Sequence, residues 1–266
     1  MKNILIKDVF WTLVIVFFCA GICSAQTTLY LPQFADGAAD INNVTWGTSI
    51  TVTNPAAIGT PAANVTVTLI NDDGTPLNLT LVDENLTPVT GAFQLAGGQT
   101  KYLFSPSNDH PLTPLNNGFA TVTSNLPVIA SLIFVEYAPG GGDPISQGGV
   151  LTALPLTRQG TQAFRQPDTP EQVGTEPAVA VANPGTGTAT ITFQLVDTGG
   201  TAVGAPVTRT LPANNHSAFF VSQIVPNMPS SFFGTIQITS DNPVVAVALL
   251  FLANGTFATI PVFPLQ

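Results

Sequence analysis

Cysteine, positive charge and histidine are all scarce in this chain, and each scarcity removes a class of chemistry. Both cysteines, Cys19 and Cys23, fall in the first 25 residues. Nothing beyond them can build a disulfide, a zinc–thiolate site, an iron–sulfur cluster or a thiol nucleophile. Setting those residues aside also removes Lys2, Lys7 and Asp8, which leaves 4 basic residues against 14 acidic ones, a net charge of −10. Four scattered cations (Lys101, Arg158, Arg165 and Arg209) cannot neutralise a run of phosphates. Nucleic acid is thereby excluded as a partner, and anionic membrane surfaces are disfavoured. The two histidines, His110 and His216, each sit in or beside a polar turn, without a companion at metal-ligand spacing. No nucleophile elbow accompanies them, and both are expected at the surface.

Apolar runs long enough to span a bilayer are missing too. Lys2 and Lys7 precede an apolar run over Val9–Cys19, and Cys23-Ser24-Ala25 places small residues ahead of Gln26. This is the three-part layout of a secretory signal peptide, with cleavage expected after Ala25. The apolar stretch from Val9 to Cys23 is shorter than the ~20 residues that span a bilayer, so no stable membrane insertion is expected after cleavage. Secretion, the periplasm or the cell surface is the expected location. Stability there must come from ordinary cores rather than disulfides.

What fills the rest is Thr, Asn, Ser, Gln and Gly around short alternating strands. Clear strand signals are Ser49–Thr53, Asn64–Ile70, Leu77–Val82, Thr100–Phe104, Gly118–Thr123 and Ile129–Val135. A second set follows at Ala178–Ala182, Thr188–Val196, Val207–Leu211, Ser217–Val221, Gly234–Thr239 and Val244–Leu252. The 23 prolines and 23 glycines interrupt the chain too often for helices.

The second set repeats the first. Asn54-Pro55 closes one strand and Asn183-Pro184 its counterpart, 129 residues on. Val65–Ile70 leads into Asn71-Asp72-Asp73-Gly74-Thr75, as Ile191–Val196 leads into Asp197-Thr198-Gly199-Gly200-Thr201, at an offset of 126. Val122-Thr123-Ser124-Asn125-Leu126-Pro127-Val128 matches Ile238-Thr239-Ser240-Asp241-Asn242-Pro243-Val244, at an offset of 116. A period this long indicates a duplicated domain rather than a solenoid. The expected fold is all-β: two tandem immunoglobulin-like antiparallel β-sandwiches after the signal peptide, with a jelly roll or barrel as the competing shape. The expected bounds are residues 1–25 for the signal, 26–155 and 156–266 for the two sandwiches. A linker over Pro155–Thr161 would join them as an elongated rod or a bent pair.

The duplication also tests each candidate for chemistry. Leu195-Val196-Asp197-Thr198-Gly199 has the form in which aspartic proteases present a catalytic aspartate, but those enzymes need two carboxylates sharing a proton. The first copy offers Asn71-Asp72-Asp73-Gly74 at that place, a hairpin turn. A protease using Asp197 from two copies of the chain is therefore a remote alternative. Asp36 and Asp40, with Asn42 and Asn43, and the pair Asp72 and Asp73 are oxygen-rich loops of the kind calcium uses, though neither follows an EF-hand order. Trp46 has no aromatic equivalent at Val173, and Tyr30 lies in a segment that the second copy does not repeat. Those two are the candidate contacts for a ligand or partner. Tyr102, aligned with Phe219, reads as core or half-buried.

Leu29-Tyr30-Leu31-Pro32-Gln33-Phe34-Ala35-Asp36-Gly37, the run to Val52-Thr53-Asn54-Pro55 and the following hairpin together carry a resemblance. They resemble a poorly characterised family of exported bacterial tandem β-sandwich proteins, frequent in acidobacteria-like genomes. The family opens with an aromatic-Pro-x-Phe-Ala-Asp-Gly segment. The second copy departs from it, with Phe164-Arg165-Gln166-Pro167-Asp168 at the corresponding place. The resemblance implies no catalytic residue and no cofactor. The expected function is a non-enzymatic extracellular or cell-surface module of structural or adhesion type, meeting a protein or polysaccharide surface. The alternative is a glycan- or protein-binding module, with or without calcium.

Overall fold

The computed structural model describes residues 26–38, 44–106, 114–138 and 143–266. They form an antiparallel all-β structure. Ten strands make the first pairing network: β1 (Thr27–Ala38), β2 (Thr45–Thr53), β3 (Ala63–Asn71), β4 (Leu81–Asp83), β5 (Pro88–Val89), β6 (Phe93–Leu95), β7 (Thr100–Phe104), β8 (Asn116–Ser124), β9 (Ile129–Tyr137) and β10 (Pro144–Leu151). One layer runs β1-β8-β3-β6 and the other β10-β9-β2-β7-β4-β5. Strand β1 joins the layers, because its end pairs with the start of β2 at Gly37 and Trp46. Alternating apolar residues of both layers, among them Leu31, Ile50, Val65, Leu103, Val122 and Phe134, are buried between them.

The pairing partners change between Leu151 and Leu156. The second network holds β11 (Leu156–Arg165), β12 (Thr175–Ala182), β13 (Ala189–Asp197), β14 (Ala202–Leu211), β15 (His216–Phe220), β16 (Phe232–Leu252), β17 (Phe257–Ile260) and β18 (Val262–Pro264). A single helical turn, α1 (Val221–Ile224), follows β15. Here the orders are β18-β11-β16-β13-β14 and β17-β16-β12-β15. The central order β1-β8-β3 thus recurs as β11-β16-β13, and β10-β9-β2-β7 recurs as β17-β16-β12-β15.

Several sequence expectations shift. Gly234–Thr239 and Val244–Leu252 are one 21-residue strand, whose first half pairs in one layer and second half in the other. The Pro155–Thr161 linker is largely strand β11, hidden because its buried residues Gln159 and Thr161 are polar and break the apolar alternation. Leu77–Val82 contracts to the three residues of β4. Strand β1 carries Pro32 and Gly37, which read as turn residues; a register shift between Leu31 and Phe34 takes up the proline, and Gly37 has φ 105°.

The repeated motifs take corresponding places in both networks. Asn54 and Asn183 are fully buried. Asn54 Nδ2 donates to the Leu95 carbonyl (2.9 Å), and its Oδ1 accepts from Ala56 N (3.1 Å). Asn183 Nδ2 reaches the carbonyls of Gly187, Leu211 and Pro212 (2.8, 2.9 and 3.0 Å), while Oδ1 accepts from Gly185 N (3.0 Å). The motif is therefore a buried clasp as well as a strand stop. At the corner, Asn125 Oδ1 accepts from Asn64 N and Asp241 Oδ1 from Thr190 N, both at 2.7 Å. The Thr190 backbone N–H holds the Asp241 carboxyl below its ordinary range.

Gly118 and Gly234 occupy matching places. A Cβ on either would run into a backbone carbonyl oxygen, that of Ile70 or of Val196. Gly118→Ala and Gly234→Ala are each expected to destabilise the fold by about 2 kcal/mol, read as a lower urea midpoint at unchanged slope.

The core does not divide along the line between the two networks. Ala178, Ala180, Val247, Leu249 and Phe257 of the second network lie in the same buried cluster as Leu31, Ile50, Val122 and Phe134 of the first. Val179, Val181, Val244 and Ala246 belong to a separate cluster inside the second network. The layer β17-β16-β12-β15 is thus apolar on both faces, one towards each network. The expected rod or bent pair of separate cores is replaced by two β-systems packed through this shared layer.

Candidate functional site

Antiparallel register builds the site at the junction of the two networks. Pairing of β2 with β9 sets Trp46 opposite Glu136. Pairing of β12 with β16 sets Glu176 opposite Phe251 and Thr175 opposite Leu252. The rings of Trp46 and Phe257 lie 5.4 Å apart, and Phe257 stacks on Phe134 at 5.2 Å with planes 10° apart. Phe251 continues the row, 5.4 Å from Phe257 and 5.1 Å from Phe220. Such contacts contribute beyond the area they bury.

A cleft of about 620 Å³ opens over this row, and Glu136, Arg165, Asp168 and Glu176 line it together with Trp46, Phe220 and Phe251. Glu136 follows Ala130, Leu132 and Phe134 on the inward face of β9 and is only 6% exposed. Its Oε2 has no hydrogen-bond partner among the described residues. Burial raises its pKa above the ordinary value of 4.5. Glu176 Oε2 pairs with Arg165 Nε at 2.6 Å, while its Oε1 is buried without a partner. Arg165 also donates to the Met228 carbonyl at 3.4 Å, and Asp168 Oδ1 accepts from Gly174 N at 3.1 Å. A second cleft of about 440 Å³ shares Trp46, Phe220 and Phe251 with the first and includes Gln33 and Asn117.

The raised pKa of Glu136 has a definite sign. Stability tied to this group is fully present below the unfolded value of 4.5 and is lost as pH rises through the higher folded value. Glu136→Gln is therefore expected to raise the melting temperature at neutral pH. The gain should vanish below pH 4.5, where the native carboxyl is itself neutral. Melting curves of both proteins across this range check it.

A second polar junction lies beside the clefts. His216 Nδ1 and Asp72 Oδ1 are 2.6 Å apart, and His216 N donates to the Asp72 carbonyl at 3.1 Å. Asn117 Nδ2 donates to Asp72 Oδ2 (3.3 Å), and Gln33 Nε2 donates to Asn117 Oδ1 (2.7 Å). A hydrogen-bonded chain thereby runs from β1 through β8 to the β3 hairpin and across to β15. His216, expected at the surface, is buried, because the hairpin tip around Asp72 covers it. Its Nε2 meets no partner among the described residues.

The remaining candidates disperse. Asp73 Oδ1 accepts from Thr75 N and Oγ1 (2.9 and 2.6 Å), which lowers its pKa, the side-chain bond first. Asp36 is buried on β1; Asp40, Asn42, Asn43 and His110 lie outside the described residues. No group of three or more His, Cys, Asp or Glu among the described residues is placed to hold a metal ion. Asp197 Oδ1 accepts from Gly199 N (2.9 Å) and Thr201 N (2.8 Å), and Gly200 N donates to the Asp197 carbonyl (3.0 Å). Asn71 and Gly74 form the same turn in the first network, and Gly74 and Gly200 share a φ of 82°.

Tyr30 is half-buried against Phe119, Ala182 and Val245, and its carbonyl accepts from Ala153 N at 2.9 Å. Trp46 is half-buried, and register places Thr175, not Val173, at the corresponding position of the second network. Tyr102 is 48% exposed rather than core, because its side of β7 faces away from the sandwich. Trp46, singled out in the sequence, lines the same cleft as Glu136, Arg165 and Glu176, which were not. Glu136 had a signal: two-residue alternation from Ala130 puts it on the apolar face.

No protein-family model matches the chain, and no curated protein matches it in sequence. Solved structures give distant likenesses. One is the Anabaena sensory rhodopsin transducer, at 18% identity and a TM-score of 0.29 over 35% of this chain and 95% of that one. Another is allantoicase from Saccharomyces cerevisiae, at 9% identity and a TM-score of 0.21 over 82% and 74%. A third is a mutant form of the major pilin from Streptococcus pyogenes, at 11% and 0.20 over 84% and 82%. Among the described residues no helix is long and apolar enough to cross a membrane.

Proposed function

We propose that the chain is a non-enzymatic module of an extracellular or cell surface, with a structural or adhesive role. It is read as a duplicated immunoglobulin-like β-sandwich, released from a signal peptide ahead of Gln26, of the exported bacterial kind that its opening segment resembles. Its partner is an extracellular protein or polysaccharide surface. The observation that carries this reading is the layer β17-β16-β12-β15, buried on both faces. It fuses the two networks into one stiff body, which suits a part that holds position. The neutral Thr- and Asn-rich exterior fits an exported β-protein. Fractionation of expressing cells, with N-terminal sequencing of the exported material, tests it. The expected product begins at Gln26 outside the cytoplasm. Full-length chain retained in the cytoplasm, or a hydrolytic activity abolished by one point substitution, would contradict it.

A second reading, a binding module for a glycan or a protein partner, is favoured by the aromatic-floored cleft at Trp46. Glycan arrays and calorimetry, with and without calcium, test that reading; clean negatives remove it.

A further inference from the structure

We propose that the cleft over Trp46 recognises an organic cation, a primary ammonium or guanidinium group on an aliphatic stem. Glu136 and Glu176 both line it, and one carboxylate oxygen of each, Glu136 Oε2 and Glu176 Oε1, is buried without a partner among the described residues. A buried carboxylate without a counter-charge is costly, and two around one cavity leave the place of a cation unfilled. Arg165 does not fill it, since it is committed to the other oxygen of Glu176. Counting Asp168, three acids line the cleft against this one arginine.

The rest of the lining selects the kind of cation. Trp46, Phe220 and Phe251 present rings to the same space. Aromatic faces attract ammonium and guanidinium groups and pack against an aliphatic stem. A hard dication would instead need about six to eight oxygen ligands, and these walls are largely carbon. The feature belongs to one copy only. The pairing positions that carry Trp46 and Glu136 in the first network carry Thr175 and Leu252 in the second. Copies that share their turns and clasps have diverged at this pair, as a specialised site requires.

The proposal rests on the binding reading of this cleft, and its failure would leave the stiff surface module standing. Trp11 and Trp46 are the two tryptophans, so full-length chain carrying Trp11→Phe reports the cleft through Trp46 fluorescence. Butylamine and butylguanidine are expected to give saturable changes, while 1-butanol gives none. A lysine-bearing peptide serves as a third arm: saturation by the peptide alone assigns the cation to a partner's side chain, and saturation by the free amines shows that a small molecule suffices. Glu136→Gln should weaken amine binding about tenfold, the loss expected for one charge-assisted contact. Glu176→Gln should weaken it too, and it carries the test if the first variant does not fold. Equal responses to butylamine and 1-butanol would overturn the proposal. So would folded variants that bind amines as the wild type does, or no saturable response to amines or peptide. A saturable response to a neutral oligosaccharide alongside silent amines would overturn the cation while sparing the binding reading.

Discussion

Asn183→Ala lowers the stability of the folded chain by about 3 kcal/mol, because it removes a fully buried amide that ties four backbone groups together, the buried Leu211 carbonyl among them. The lost amide serves the carbonyls of Gly187, Leu211 and Pro212, and the lost oxygen serves Gly185 N. Each such bond contributes about 1 kcal/mol, and a buried group left unpaired costs more than that. Asn54→Ala should lose about 2 kcal/mol, since Asn54 makes one bond to a carbonyl, that of Leu95, and one to Ala56 N. The order of the two effects separates this account from a simple strand stop. If Asn-Pro mattered only because proline ends the ladder, both alanine variants would be nearly neutral. Urea unfolding of the two variants at unchanged slope gives the comparison.

Phe257→Ala is the second large effect, about 3 to 4 kcal/mol, within the range for deleting a buried aromatic ring. Phe257 is 6% exposed and belongs to β17, yet it touches Trp46 and Phe134 of the first network as well as Phe251 of its own. Its removal opens the aromatic row where the networks meet. The loss should therefore be shared by both, and Trp46 fluorescence should change in the folded state.

The parts of the fold that depend on neighbours in the chain were open to inspection in the sequence. Ile50-Thr51-Val52-Thr53 alternates because one face of β2 is buried, and the Asp197 hairpin and its Asn71 counterpart announce themselves by Gly200 and Gly74. Packing between distant segments was not open in the same way. Still, one trace of it is present. Ala178-Val179-Ala180-Val181-Ala182 and Val244-Val245-Ala246-Val247-Ala248 lack the polar alternation of β2, and the structure shows why: residues of both parities are buried. A strand apolar on both faces belongs inside a stack, and that pattern argues against two separate sandwiches on a linker.

The candidate site divides in the same manner. Trp46 stood out because the second set of strands has no aromatic residue in its place. Glu176 and Arg165 could not, since one charge in β12 and another in β11 show their pairing only once the strands are placed. His216 was misjudged for the same reason. Its polar turn fits a surface position, and only the Asp72 hairpin from the other network buries it. Asp83 is the opposite case. Lys101 at 3.0 Å lowers its pKa first among several hydrogen bonds, but the pair sits at the edge of β4 and β7, and no site forms around it.

The central claim is that the core of the first network extends into the second and couples the two through the shared layer, and hydrogen exchange in Phe257→Ala tests it most directly. The slowest amides of β3 and β8, which lie in the first network, and of β13 in the second are followed in parallel with the wild type. A shared core predicts that all three strands lose the same protection, by the full destabilisation of the variant. Unchanged protection in β3 and β8 while β13 falls would show two independent cores and contradict the account.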